Sequence, residues 1–369
     1  MPNVSATPEG TKKYTEKFPD FQKARHYRDF MGLKVSSVGL GTYLGNQSET
    51  DDQLYTEAIK TALVSGINLL DSAINYRCMR SERNIGQALR DLIKEGKITR
   101  EEVVICTKGG FTPFDGNQPP NPTQYFQDEY FRPGICKPED LVAGCHCMTP
   151  GYIRNQVERS LKNLGLDCID LYYIHNPETQ LDEVPRDEFL FRLEKTFQEL
   201  EKLVQEGKIR AYGTATWNGY RVSPTAQEYM SFQDVLRTAE RAGGNSHHFK
   251  AIQLPYNLGM AEAWGNPNQV LGSQTIPFLE AAKANGIAVF TSASILQSKL
   301  SRNLPPSVAE TFPGLTTDAQ RAIQFVRSTP GVTAALVGMK HKEHVGENLK
   351  VAAVPTVSEV KLQGLFSGK

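Results

Sequence analysis

Four side chains of unlike chemistry recur at the ends of apolar runs: the carboxyl of Asp71, the phenol of Tyr76, the ammonium of Lys108 and the imidazole of His175. Lys108 closes the run Val103-Val104-Ile105-Cys106-Thr107, and His175 closes Ile169-Asp170-Leu171-Tyr172-Tyr173-Ile174. A charge or imidazole at the end of a buried strand loses its water and needs a partner. Asp71 is the natural counter-ion for Lys108. A phenol beside that cation is expected to release its proton more readily than free tyrosine, whose pKa is about 10, which would make Tyr76 a general acid. His175, as a neutral donor, can hold a substrate oxygen.

These residues meet only if the elements carrying them are neighbours. Short β-branched runs alternate with amphipathic segments from residue 35 onward, which predicts strands over 35–42, 68–73, 103–108, 168–175, 209–216, 251–257, 288–293 and 334–338. Helices are expected over 51–65, 82–95, 150–164, 187–206, 232–242, 276–285, 318–328 and 343–351. Asp51 and Thr317 are placed as N-caps, and Gly66, Gly165, Gly207, Gly243 and Gly286 as C-caps. Strict alternation without a dividing linker predicts α/β architecture, a single (β/α)8 TIM barrel spanning 27–355, rather than two doubly wound domains. Tyr27 to Lys34 is expected to form an N-terminal hairpin, with polar tails at 1–26 and 356–369. The long connections 109–149, 217–231 and 258–275 follow the third, fifth and sixth strands, so they rise on the C-terminal face, where barrel chemistry is placed.

Composition narrows the classes. The chain has 369 residues, with 41 Lys plus Arg balanced by 41 Asp plus Glu, so no global field attracts nucleic acid or an anionic membrane. No apolar run approaches the roughly 20 residues of a membrane span, and the first 30 residues have no secretory core, so a cytoplasmic location is expected. Six irregularly spaced cysteines predict free thiols. Cys136, Cys145, His146 and Cys147 share one long connection, but their spacing is too tight for the common zinc pattern, and no metal is expected. Gly39, Gly41 and Gly45 do not make a dinucleotide-binding fingerprint, because the third glycine comes one residue late and no helix opens on it.

The motifs around the four residues resemble the aldo/keto reductase superfamily. Those that match, in family order, are Gly39-Leu40-Gly41-Thr42, Asp71-Ser72-Ala73-Ile74-Asn75-Tyr76, Ser81-Glu82-Arg83-Asn84-Ile85-Gly86, Thr107-Lys108-Gly109, Ile169-Asp170-Leu171 through His175 and Pro177, Gly207-Lys208-Ile209-Arg210, Gln253 with Tyr256-Asn257, and Glu347-Asn348-Leu349. The resemblance implies hydride transfer between a nicotinamide and the carbonyl or alcohol of a small molecule. It makes Tyr76 the proton donor, tuned by Lys108 and Asp71, with His175 orienting the carbonyl. It also implies NADP, with NAD less favoured, bound by Gly41, Thr42, Asp71, Thr216, Gln253, Ser292, Ser294, Gly338, Lys340, His344, Glu347 and Asn348.

This chain departs from the family in several places. The usual Ser-Asn after the fifth strand reads Ala215-Thr216, and the tyrosine that stacks on the nicotinamide falls on Ser292. The arginine for the 2′-phosphate falls on His344, leaving Lys340 or Lys342 to substitute. Arg77 replaces the glycine after the catalytic tyrosine, either to meet a substrate anion or to close the loop. Two other readings share the fold: a cofactor-binding regulatory or sensor subunit with little turnover, and a redox-neutral epimerase that retains its cofactor.

Overall fold

The computed structural model describes residues 4–366. Among them, eight parallel strands close into a barrel in the order β3 (Val38–Gly41), β4 (Leu69–Asp71), β5 (Val104–Gly109), β6 (Ile169–His175), β7 (Ile209–Ala215), β8 (Phe249–Pro255), β11 (Ala288–Ser292) and β12 (Val332–Gly338). This is the expected (β/α)8 barrel. The hairpin of β1 (Tyr27–Phe30) and β2 (Leu33–Ser36) lies outside it, its two-residue turn made by Met31 and Gly32, both at positive φ. Phe30 from this hairpin meets Phe290 edge-on at 5.2 Å, and with Leu33 and Val35 it joins the apolar interior formed by Leu69, Val104, Leu171 and Leu336. The floor of the barrel is thereby plugged, and the cavity opens at the opposite mouth.

Helices α3 (Glu49–Ser65), α4 (Arg80–Lys94), α6 (Pro150–Leu164), α7 (Arg186–Gln205), α8 (Phe232–Gly243), α10 (Phe278–Ala284), α12 (Asp318–Ser328) and α13 (Lys342–Asn348) follow the barrel strands. Short pieces fill the connections: α5 (Pro122–Phe126) after β5, α9 (Glu262–Gly265) with the hairpin β9 (Pro267–Leu271) and β10 (Gln274–Pro277) after β8, and α11 (Pro306–Thr311) after β11. Thr317 caps α12 in a reciprocal capping box with Gln320, as expected. Ser48, not Asp51, caps α3, because the helix begins two residues earlier and the Ser48 hydroxyl accepts the Asp51 amide at 3.2 Å.

The two stretches expected to be polar tails carry structure. α1 (Pro8–Glu16) and α2 (Pro19–Lys23) dock on the barrel, with Thr7 as N-cap and Pro8 opening α1. Tyr14 is fully buried and donates to the Leu63 carbonyl at 2.7 Å. The Ala6 amide donates to buried Asp170 at 2.8 Å, and the other Asp170 oxygen takes Arg100 at 2.8 Å and the Ile105 amide at 2.8 Å. α14 (Glu359–Gln363) near the C-terminus buries Leu362. The ends of both expected tails, residues 1–3 and 367–369, lie outside the described residues. All six cysteines are free. Among the described residues no helix is long and apolar enough to cross a membrane.

Candidate active site

Strand register sets the site. Asp71 pairs across from Gly41 and Cys106, Lys108 from Tyr173, and His175 from Ala215, which in turn lies beside Gln253. The C-terminal ends of β4, β5, β6, β7 and β8 therefore stand side by side. After β4 the chain leaves the sheet and reaches α4 through Arg77, Cys78 and Met79, three consecutive non-glycine residues with φ of 49°, 54° and 68°. Left-handed backbone is unfavourable for such residues and persists only where the surroundings hold it. Arg77 provides that hold. Its guanidinium donates to the Asn46 carbonyl at 2.9 Å, Asn84 at 2.7 Å and Asp52 at 2.6 Å, and lies over the Tyr55 ring at 5.0 Å. Of the two roles considered for Arg77, its contacts are those of loop closure.

This turn carries Tyr76 over Lys108. The Lys108 ammonium, with no solvent exposure, donates to Asp71 at 2.7 Å and to the Ser72 carbonyl at 2.6 Å, and it sits 4.9 Å from the centre of the Tyr76 ring. Gln253 donates to the other Asp71 oxygen at 2.8 Å. Burial by itself would lower the Lys108 pKa, but Asp71 and the Tyr76 hydroxyl outweigh it, and Lys108 is held above its ordinary value. For Tyr76 the balance runs against the expectation. Burial raises the phenol above its ordinary value, and Lys108 only partly offsets it, so Tyr76 keeps its proton more firmly than free tyrosine. His175 stands edge-on to Tyr76 with ring centres 5.8 Å apart. Burial, reinforced by Lys108 and His146, holds its imidazole well below the ordinary range and therefore neutral.

A cavity of about 570 Å³ opens over these groups. Of the residues predicted from sequence, Gly41, Thr42, Asp71, Tyr76, His175, Thr216, Gln253, Ser292, Ser294 and Gly338 line it. Lys108 lies beneath, reaching the cavity only through Tyr76 and Asp71. The Ser294 hydroxyl is turned away, donating to the Leu336 carbonyl at 3.0 Å. Lys340, His344, Glu347 and Asn348 are not in the lining. Lys340 pairs with Asp51 at 3.0 Å, the His344 ring contacts His341, and the Glu347 carbonyl accepts Gln320 at 2.9 Å.

Other wall residues were not assigned to the site from sequence: Tyr43, Leu44, Asn75, Asn176, Ile295 and Gln297. Asn176 follows β6 directly and the others lie two to five residues beyond their strands, and that position was the available signal. The aromatics of the long connections divide. Phe111 and Trp217 reach the cavity, whereas Phe114, Tyr125, Phe126 and Tyr130 pack on one another and Tyr220 stacks on Phe278 at 4.8 Å. His248 meets Glu201 at 2.7 Å.

With this geometry in place, comparison with known proteins is decisive. The model of the aldo/keto reductase family matches residues 37–239, more than half of the chain. The protein belongs to the aldo/keto reductase family. Among curated relatives of this chain, Aldo-keto reductase YhdN of Bacillus subtilis is 30% identical over 230 residues, covering 62% of this chain and 52% of that protein. Uncharacterized oxidoreductase YqkF of the same organism is 22% identical over 343 residues, 91% of this chain and 93% of its own. Aldose reductase B of Dictyostelium discoideum is 28% identical over 199 residues, 50% of each chain. The chain thus spans about half the length of two of these three relatives. Among solved structures, aldo-keto reductase AKR11C1 from Bacillus halodurans superposes with a TM-score of 0.63 at 19% identity, covering 92% of this chain and 95% of that one. An aldo/keto reductase from Klebsiella pneumoniae in complex with NADP and acetate gives 0.59 at 21%, covering 90% and 91%. Both support the same fold.

Proposed function

We propose that this reductase transfers hydride between NADP and the carbonyl or alcohol carbon of a small molecule, with Tyr76 as general acid and base. The observation that carries this reading is the buried Lys108–Asp71 pair at 2.7 Å directly beneath Tyr76, at the mouth of a cavity that His175 also lines. An ammonium with no solvent exposure is stable only beside its counter-charge, and removing either partner leaves a buried charge uncompensated. Here the pair also faces a phenol.

Each group has a task. Tyr76, with its pKa raised, holds a proton at its phenol oxygen through neutral pH and delivers it to a carbonyl oxygen as charge develops there. Lys108 moderates the cost of the phenolate left behind, and Asp71 and Gln253 fix Lys108 in place. His175, neutral, orients the carbonyl oxygen beside Tyr76. In the reverse direction the Tyr76 phenolate takes the proton of an alcohol. NADP, when bound, supplies or accepts the hydride at its nicotinamide. The cavity fits that end of the cofactor: Thr216 has a buried hydroxyl with no partner in the wall, and Gly338 leaves open space where a Cβ would stand. Lys340 is the residue proposed to meet a 2′-phosphate, exchanging its pairing with Asp51.

The test is a panel of aldehydes and ketones offered with NADPH or NADH, following loss of reduced-nicotinamide absorbance, with Tyr76→Phe as control. Wild-type turnover and a fall of about 10²-fold or more in the variant, with nucleotide binding retained, is the expected result. Full activity in Tyr76→Phe overturns the assignment. Tight nucleotide binding without turnover would favour a sensor subunit instead.

A further inference from the structure

Beyond β7 the chain enters a turn whose amides point one way. The N–H groups of Trp217, Asn218 and Gly219 converge on a single carboxylate oxygen of Glu178, at 2.6, 3.0 and 3.4 Å. Glu178 is 5% exposed, and its second oxygen is buried without a partner. A carboxylate oxygen is what such a concave set of amides favours; burial raises the Glu178 carboxyl above its ordinary value, and the three amides oppose that rise. The turn is also gripped from behind. Arg221 donates to the Trp217 carbonyl at 3.0 Å and to Asn218 at 3.3 Å, and pairs with Glu262 at 2.9 Å.

The backbone of residues 217–219 is thus held on both sides while the Trp217 indole remains 45% exposed at the cavity wall. A large aromatic left open beside a cavity marks a surface for an apolar ligand group. Glu178 lies three residues beyond His175, so one short segment carries both the imidazole and this anchor.

We propose that Glu178 is a positioning residue that selects substrate: by gathering the three amides it fixes Trp217 as an apolar wall, so that carbonyl compounds bearing a ring bind in preference to short aliphatic ones. The preference rests on the carbonyl-reduction reading; the positioning does not. Glu178 touches neither the reacting atoms nor the Lys108–Asp71 pair.

The experiment uses the full chain with Trp264→Phe, which leaves Trp217 as its one indole because the chain has two tryptophans. In that background Glu178→Ala is expected to raise KM for benzaldehyde about tenfold while kcat stays within about twofold and KM for propanal is unchanged. Glu178→Gln keeps an acceptor oxygen for the amides and is expected to recover most of the loss. Trp217→Ala should reproduce the Glu178→Ala effect, and the double variant should add nothing further. Equal losses on both aldehydes, or additive effects, would overturn the proposal. A second readout does not depend on turnover: the fluorescence anisotropy of Trp217 should decay faster in Glu178→Ala than in its parent. Unchanged anisotropy overturns the positioning. A wild type that reduces neither aldehyde overturns the substrate preference, with carbonyl reduction itself decided by the wider panel, while faster anisotropy decay in Glu178→Ala would still support the anchor.

Discussion

The His146 imidazole donates from Nε2 to the main-chain carbonyl of His175 at 2.8 Å. A carbonyl can only accept, so Nε2 carries the proton and Nδ1 must accept. Gln180 supplies that donor at 2.9 Å, and Arg192 fixes the Gln180 amide by donating to its oxygen at 2.9 Å. The path from Arg192 to His175 therefore runs in one hydrogen-bond direction, and it works only while His146 is neutral.

Acid stability follows from that neutrality. Burial, opposed by the His175 carbonyl, brings the His146 pKa down to about 4. An unfolded imidazole titrates near 6.5, so below that pH the unfolded chain binds a proton that the folded one refuses. The stabilisation is complete above about pH 6.5 and is lost as pH falls toward about 4, amounting to on the order of 3 kcal/mol. Urea unfolding followed from neutral to acid pH should show this slope, and His146→Gln should flatten it. An unchanged slope would count against a buried neutral His146.

The pH profile of reduction should lack a histidine limb. His175 is held neutral well below the usual imidazole range, and Tyr76 stays protonated above its usual range. Reduction is expected to hold nearly level from about pH 6 to about pH 9 and to fall only in more alkaline solution, while alcohol oxidation rises there as phenolate forms. A reduction rate that halves on crossing pH 6.5 would contradict this ordering.

Cofactor choice should be readable at Lys340. Lys340→Ala removes a charge that a 2′-phosphate would attract, so NADPH affinity should fall about tenfold or more with NADH affinity nearly unchanged. Direct binding titrations of both nucleotides would decide it. Equal losses for the two would place the phosphate elsewhere.

The barrel floor offers a purely structural test. Asp170 accepts the Ala6 and Ile105 amides and Arg100, all buried. Asp170→Ala leaves Arg100 without its counter-charge and should lower the unfolding free energy by roughly 3–5 kcal/mol. Steady-state constants of the folded fraction should be unaffected, because this cluster lies at the opposite end from Tyr76.

What the sequence disclosed and what it hid divide along a physical line. The barrel strands were legible because β-branched runs punctuated by helix-period segments leave a plain pattern, and Asp71, Tyr76, Lys108 and His175 were legible because polar groups at strand ends interrupt it. α1 was missed because its docked face is Gly10, Thr11, Tyr14 and Thr15, with one large apolar side chain among small and polar ones. Thr7 before Pro8 was the overlooked capping signal. The balance at Tyr76 was misjudged because the ammonium was visible in sequence and the depth of burial was not. Glu178 escaped notice, and His146 was weighed only as a metal ligand, because both act on main-chain groups, and main-chain partners leave no side-chain motif.

The connection between β5 and α6 keeps its own small aromatic nucleus: Phe114, Tyr125, Phe126 and Tyr130, leaning on Tyr152, with Phe111 alone among its aromatics reaching the cavity. Tyr130 ties this nucleus to the core beneath α6, so an exchanged segment has to keep that anchor. Grafting a different sequence between Phe111 and His146, with those residues and Tyr130 preserved, is expected to re-tailor the rim of the cavity while Asp71, Tyr76, Lys108 and His175 stay where the barrel puts them.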